Sequence, residues 1–100
     1  MVKHIVMWTI QDNVDGKSKS QLIQELKSKL EALPEMIPEI LDYEVGINFN
    51  PGESAYDVSL YSEFEDKATL KKYQKHPEHV KVAEFVGSIR DKGVVVDYEV

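Results

Sequence analysis

The residues of this chain best suited to proton transfer are its three histidines and a nearby tyrosine. His76 and His79 lie in a His-Pro-Glu-His segment, Tyr73 precedes that segment by three residues, and His4 lies near the start of the chain. Imidazole has an unperturbed pKa of about 6.5, which suits proton transfer near neutral pH. A histidine base beside a tyrosine hydroxyl donor could remove a proton next to a carbonyl group and stabilise the resulting oxyanion.

The spacing of neighbouring apolar residues predicts where these side chains point. Positions three, four and seven residues after His79 are apolar, so His79 should lie on the apolar face of its helix. His4 alternates with Val6 and Trp8 and therefore shares one face of a strand with them. If the helices cover that face, His4, Tyr73 and His79 converge at one edge of the core.

Two other interpretations of the histidines remain open. In the first, His4 and His79 are packed core residues bonded to a backbone carbonyl or a carboxylate, and His76 caps a helix. In the second they bind a metal, but the His-x-x-His spacing lacks the HExxH motif, supplies two ligands at most and has no cysteine to assist it. We therefore predict no metal site.

Composition narrows the remaining function classes. A net charge of −6 and a pI near 5.0 are unfavourable for binding nucleic acid or anionic lipid. The chain has no cysteine, no Gly-x-Ser-x-Gly elbow, no phosphate-binding glycine loop and a single arginine, Arg90. No signal peptide is recognisable and no apolar stretch approaches transmembrane length. We expect a cytoplasmic protein with no nucleic-acid or membrane partner.

The first half of the chain predicts a strand, a helix and a second strand. Residues 2–10 are rich in β-branched and aromatic residues, with apolar side chains on both faces. Ser18 and Gln21 form a capping box for a helix that begins at about Lys19 and carries a leucine stripe. Two prolines bracket the end of that helix, and residues 41–49 then alternate with a period of two.

The second half repeats this order with a broken helix. Residues 50–52 form a turn, residues 56–65 alternate as a strand, and Asp66 is placed to cap the next helix. Pro77 interrupts that helix after His76, and Gly93 precedes a final strand. The order β-α-β-β-α-β predicts one α+β domain over residues 1–100, with a ferredoxin-like four-stranded antiparallel sheet and helices on one face.

The face of the sheet away from the helices is predicted to need a cover. Ile5 and Met7 are apolar on the opposite parity from His4, and Tyr61 and Val95 are expected near them. A second copy of the chain, packed sheet against sheet in a two-fold dimer, would bury these side chains. The alternative is a monomer with scattered exposed apolar residues.

Three segments together resemble the stress-responsive α/β-barrel domain family, often called Dabb. They are residues 2–8 (VKHIVMW), 64–66 (FED) and 73–79 (YQKHPEH), with Val82 and Phe85 following and residues 97–98 also fitting. The resemblance spans nearly the whole chain. It implies a ferredoxin-like fold and a homodimer in which two sheets pack into a dimeric α/β barrel.

The resemblance also implies roles for individual residues. Plant polyketide cyclases similar to this family, such as olivetolic acid cyclase, catalyse an aldol condensation with a tyrosine and a histidine, without cofactor or metal. On the matching motif these catalytic roles fall to Tyr73 and His79. Trp8 and Ser62 depart from the aliphatic lining expected, and the bulky indole would shorten the pocket. The residues expected to contact a ligand are His4, Val6, Trp8, Leu60, Ser62, Leu70, His76, Val82 and Phe85.

The sequence is therefore compatible with three functions. The first is a homodimer that binds a small apolar or phenolic ligand between sheet and helices, with cofactor-free acid–base activity of the aldol cyclase or lyase type. The second is a non-catalytic stress or structural protein whose histidines serve packing. The third is a barrel similar to the haem-degrading monooxygenases, which would need a histidine facing a pocket wide enough for a porphyrin.

Overall fold

A computed structural model describes all 100 residues, and its centre is a four-stranded antiparallel sheet. The strand order is β4-β5-β1-β6, so the strand nearest the start of the chain lies in the interior beside the last one. The predicted ferredoxin-like α+β fold is confirmed. The elements in chain order are β1 (Val2–Ile10), β2 (Asn13–Val14), β3 (Lys17–Ser18), α1 (Lys19–Glu31), α2 (Leu33–Met36), β4 (Asp42–Ile47), β5 (Val58–Phe64), α3 (Lys67–Lys75), α4 (Pro77–Ile89) and β6 (Arg90–Glu99).

Side-chain caps set the helix boundaries where the sequence predicts them. Ser18 and Gln21 form the reciprocal capping box of α1, and Asp66 accepts a hydrogen bond from the backbone N–H of Thr69 at the start of α3. His76 adopts an extended conformation between α3 and α4, because Pro77 disfavours helical geometry in the residue before it. The predicted break in the second helix is therefore present. No helix is long and apolar enough to cross a membrane.

Several element boundaries differ from those that the sequence predicts. The turn after β1 contains a small hairpin, β2–β3, which Asp15 and Gly16 close with φ angles of 52° and 81°. Leu33, which its spacing from the leucine stripe assigns to the first helix, belongs to α2. Strand β4 ends at Ile47, which leaves Phe49 in the following loop with 98% of its surface exposed. Strand β6 begins at Arg90 and not after Gly93.

The core lies between the helices and one face of the sheet. The even-numbered residues of β1 point into it, and so do Val58, Leu60 and Phe64 of β5. Leu22, Leu26 and Leu30 of α1 form the helix side of the core, as the leucine stripe predicts. This packing turns His4 and Trp8 toward the helices.

The opposite face of the sheet is apolar and uncovered in the single chain. Ile5 pairs with Tyr61 on one side and with Val96 on the other, and Met7 is 39% exposed. The prediction that Val95 lies on this face is wrong. Val95 pairs with Val6 and so lies on the helix side of β6, where no helix covers it.

Candidate active site

A cavity of about 220 Å³ lies between the sheet and the helices, at the place where His4, Tyr73 and His79 meet. Strand β1 supplies one wall and α4 the opposite wall, because the apolar faces of both elements turn toward the core. Its lining is mainly hydrophobic and consists of His4, Val6, Trp8, Leu30, Leu60, Tyr73, Gln74, His79, Val82, Ala83 and Val86.

His79 is held in the tautomer that a general base requires. Its Nδ1 atom lies 3.0 Å from the backbone carbonyl oxygen of Gln74. A carbonyl oxygen only accepts hydrogen bonds, so Nδ1 carries the proton and Nε2 of the neutral ring is left with a lone pair. Burial lowers the pKa of His79 below its usual 6.5, with smaller contributions from His4 and His76. The ring is therefore neutral near pH 7 and can accept a proton at Nε2.

Tyr73 supplies a buried hydroxyl beside that base. Its ring is completely buried, and its centroid lies 4.4 Å from that of His79. Its hydroxyl oxygen lies 2.7 Å from that of Tyr43, which comes from β4. Burial raises the pKa of Tyr73 to about 12, and the hydrogen bond with Tyr43 opposes that rise. Tyr73 is thus protonated at neutral pH and serves as a hydrogen-bond donor.

His4 completes the polar end of the cavity. Its Nδ1 forms a hydrogen bond with the carboxylate of Asp97, which lies directly opposite it on β6. The His4 ring packs edge-on against Tyr73 with their centroids 6.2 Å apart. The carboxylate orients the ring, so that its Nε2 side faces away from β6. The structure contains no group of three or more histidine, aspartate or glutamate side chains placed to hold a metal ion.

Seven of the eleven residues expected at the site line the cavity, and six of them are the catalytic pair Tyr73 and His79 together with His4, Val6, Trp8 and Val82. The seventh is Leu60, from the neighbouring strand β5. The alternation along β1 and the helical spacing along α4 explain this result. The even-numbered face of β1 and the apolar face of α4 point into the same space.

The other four expected ligand contacts lie outside the cavity lining. Ser62 is buried and donates a hydrogen bond to the backbone carbonyl of His4 at 3.2 Å. Leu70 lines a separate hollow beside β6. His76 caps α4 by accepting the backbone N–H of Glu78. This cap, the bond of His79 to a backbone carbonyl and the bond of His4 to a carboxylate are the three contacts that the packing interpretation predicts. Phe85 lies under the ammonium group of Lys29, 5.0 Å from its ring centroid.

Sequence reasoning missed several residues of the site. Leu30, Ala83 and Val86 line the cavity, and all three lie on apolar stripes that the sequence displays. Gln74 contributes both a lining surface and the carbonyl that orients His79. Tyr43 had no signal beyond its place in the alternation of β4, because its pairing with Tyr73 depends on how closely α3 approaches that strand.

Trp8 lines the cavity, and β6 leaves room for its indole at Gly93. Gly93 pairs with Trp8 across the strands, and a Cβ atom on Gly93 would lie 3.1 Å from Trp8 Cδ1 and 3.2 Å from Arg90 Nη1. A side chain here would press on the indole. The glycine thus lets the indole lie close against β6.

A crystal structure of a dimeric protein of unknown function with a ferredoxin-like fold, from Bacteroides fragilis, is 39% identical with a TM-score of 0.87, covering 99% of this chain and 95% of the other. A protein from Arabidopsis thaliana is 30% identical with a TM-score of 0.79, covering 100% and 95%. A hydroxynitrile lyase from Passiflora edulis is 20% identical with a TM-score of 0.82, covering 99% and 92%, a likeness of fold alone.

No curated protein is significantly similar to this chain. The pattern of the stress-responsive A/B barrel domain, in contrast, matches residues 2–100, and the segments around β1 and the His-Pro-Glu-His motif lie within that match. The match covers almost the entire length, and the ferredoxin-like fold agrees with it. The chain belongs to the stress-responsive A/B barrel (Dabb) domain family.

Proposed function

We propose that this protein binds a small, mostly apolar or phenolic carbonyl compound in the cavity and catalyses cofactor-free acid–base chemistry on it. The observation that carries the proposal is the juxtaposition of His79 and Tyr73 on an apolar cavity. His79 has a free lone pair at Nε2, and its ring centroid is 4.4 Å from that of a buried, protonated Tyr73. A base and a hydrogen-bond donor side by side is the arrangement that enolate chemistry requires.

The volume of the cavity favours a compact ligand. An apolar cavity of about 150 Å³ accommodates benzene, and pockets for drug-sized molecules span roughly 300–1,000 Å³. At about 220 Å³, this cavity fits one aromatic ring with one or two small substituents. A long linear polyketide or a porphyrin exceeds that size, which argues against a haem-degrading role.

The proposed step moves one proton. His79 Nε2 accepts a proton from the carbon next to the ligand's carbonyl group, and the electron pair of the broken C–H bond forms an enolate. The Tyr73 hydroxyl donates a hydrogen bond to the enolate oxygen while Tyr43 donates to Tyr73. The imidazolium then returns the proton, either to the same carbon or to a product formed by addition or cleavage at that carbon.

We further infer that the protein acts as a homodimer through the outer face of the sheet. Ile5, Met7 and Val96 form an apolar surface there, and a second copy would remove that surface from water. The relative from Bacteroides fragilis is described as dimeric. In this arrangement each cavity lies on the helix side of its own sheet, so one dimer carries two separate sites.

Deuterium exchange tests the catalytic proposal without knowledge of the natural substrate. Phenylacetone has acidic protons between a phenyl ring and a carbonyl group, and NMR in deuterated water follows their replacement. We expect the wild-type protein to accelerate exchange, and His79→Gln and Tyr73→Phe to lose most of that acceleration.

His76→Asn is the matched control, because His76 caps a helix and asparagine caps equally well. Exchange that is unaffected by His79→Gln, with phenylacetone bound, would favour the non-catalytic function.

A further inference from the structure

The hydroxyl group of Tyr73 has a single hydrogen-bond partner in the protein, the hydroxyl group of Tyr43. The two oxygens lie 2.7 Å apart. The two histidine rings beside Tyr73 do not bond to this hydroxyl, because Nδ1 of His79 and Nδ1 of His4 each face an oxygen elsewhere. The position of the Tyr73 hydroxyl therefore depends on Tyr43.

Tyr43 itself lies outside the cavity. It comes from the edge strand β4 and does not contribute to the lining, whereas Tyr73 does. The two rings pack edge-on, with their centroids 6.1 Å apart and their planes at 67°. A ligand in the cavity thus contacts Tyr73 and not Tyr43, so any effect of Tyr43 on that ligand must pass through Tyr73.

A ligand oxygen in the cavity determines the direction of the hydrogen bond between the two tyrosines. Each hydroxyl has one proton, so Tyr73 can donate to a ligand only if Tyr43 is the donor within the pair. The pKa values agree with this direction. Burial raises the pKa of Tyr43 far above its usual 10, and the nearby Tyr73 raises it further. Tyr43 therefore keeps its proton when negative charge develops beside Tyr73.

We infer that Tyr43 is a positioning residue of the site, whose hydroxyl donates to that of Tyr73 and directs the Tyr73 proton at the ligand oxygen. This role rests on the proposed function. A hydroxyl that accepts one hydrogen bond is a stronger donor in a second, so Tyr43 strengthens the bond to the oxygen as the enolate forms. The substrate class is then an enolisable ketone or aldehyde, because loss of its proton places the negative charge on an oxygen.

The kinetics of deuterium exchange into phenylacetone test this role. Tyr43→Phe removes the hydroxyl and keeps the ring that packs on Tyr73, so we expect this variant to fold. We expect kcat to fall about tenfold, the effect of losing one hydrogen bond in the transition state. KM should not rise, because the neutral carbonyl can still accept the Tyr73 proton.

A second comparison separates this role from a merely structural one. In a Tyr73→Phe background, Tyr43→Phe should cause no further loss of kcat, since Tyr43 acts only through the Tyr73 hydroxyl. Tyr61→Phe is the matched control. It removes a tyrosine hydroxyl from the neighbouring strand β5, where the partner is Glu63, and Tyr61 does not line the cavity. We expect its kcat to equal that of the wild type.

The outcomes distinguish this role from the proposed function. A kcat that is unchanged in Tyr43→Phe, or that falls equally in Tyr61→Phe, would overturn the role of Tyr43 and leave the catalytic cavity intact. An equal further loss in the Tyr73→Phe background would overturn it as well. If the wild-type protein does not accelerate exchange, the proposed function and the role of Tyr43 both fail.

Discussion

The hydroxyl oxygens of Tyr43 and Tyr73 lie 2.7 Å apart, and this contact joins edge strand β4 to helix α3. One hydroxyl donates to the other, so one of the two phenolic protons stays free for a ligand. Both side chains are buried or half-buried, so neither hydroxyl readily exchanges its partner for water. The pair therefore fixes the position of Tyr73 relative to His79 before any ligand binds.

Removing the hydroxyl group of either Tyr43 or Tyr73 should lower the free energy of unfolding. In Tyr43→Phe the buried hydroxyl of Tyr73 loses its partner, and we expect the free energy of unfolding to fall by about 1–2 kcal/mol. Tyr73→Phe should have a similar effect, while the double variant should cost less than the sum of the two. Urea denaturation of the four proteins checks this, and strictly additive losses would show that the two hydroxyls do not stabilise each other.

The sequence predicts the fold well because the fold depends on local periodicity. Alternation in β1 and the spacing after His79 each specify which side of an element is apolar, and packing of apolar sides brings His4 and His79 to one cavity. Capping residues such as Ser18 mark helix ends through contacts within four residues. These signals are short-range and can be read from a single chain.

The parts of the site that sequence reasoning missed depend on long-range distances. Periodicity assigns Tyr43 to a face but does not say that its hydroxyl reaches Tyr73, thirty residues later. Phe85 follows the apolar stripe of α4 by spacing, yet it lies at the margin of that stripe, where Lys29 covers it. Gly93 indicates a strand boundary by composition, whereas its real constraint is the indole on the neighbouring strand.

The lowered pKa of His79 should make stability depend on pH below neutrality. The unfolded chain has the usual histidine pKa of about 6.5, so between this value and the lowered folded value it binds more protons than the folded protein does. The free energy of unfolding therefore rises with pH through this window. The stability that neutral His79 contributes is fully present above about pH 6.5 and is lost as the pH falls below that value.

His79→Gln should remove that part of the pH dependence, which urea denaturation at a series of pH values measures. Glu25 and Asp66 also have lowered pKa values, but their usual values are 4.5 and 3.8, so their contributions are lost at more acidic pH. An identical slope in wild type and His79→Gln between pH 6.5 and 5 would contradict a buried neutral His79.

Gly93→Ala should alter the cavity through Trp8. The added Cβ would lie 3.1 Å from the indole, which must move by a few tenths of an ångström, and the cavity is the open space beside it. We expect a shift in Trp8 fluorescence and weaker binding of phenylacetone.

Gly87→Ala is the matched control for this change. A Cβ atom on Gly87 meets nothing within 4 Å, and the position lies inside α4. We expect this variant to stabilise the protein by roughly 0.4–1 kcal/mol and to leave Trp8 fluorescence unchanged. If Gly93→Ala binds phenylacetone as the wild type does, the indole is not confined by β6.

Met7→Glu should disrupt the proposed dimer. Met7 is 39% exposed on the outer face of the sheet, and a carboxylate there would be buried without a partner if two sheets pack together. Native mass spectrometry of the wild type should give about 23 kDa, twice the 11.5 kDa chain, and a retained small molecule would add its own mass. We expect Met7→Glu to give monomers.

Met36→Glu serves as control for this change. Met36 is 42% exposed but lies on α2, away from the sheet face, so this variant should leave the dimer intact. A dimer that persists in Met7→Glu and dissociates in Met36→Glu would move the interface from the sheet to the helices.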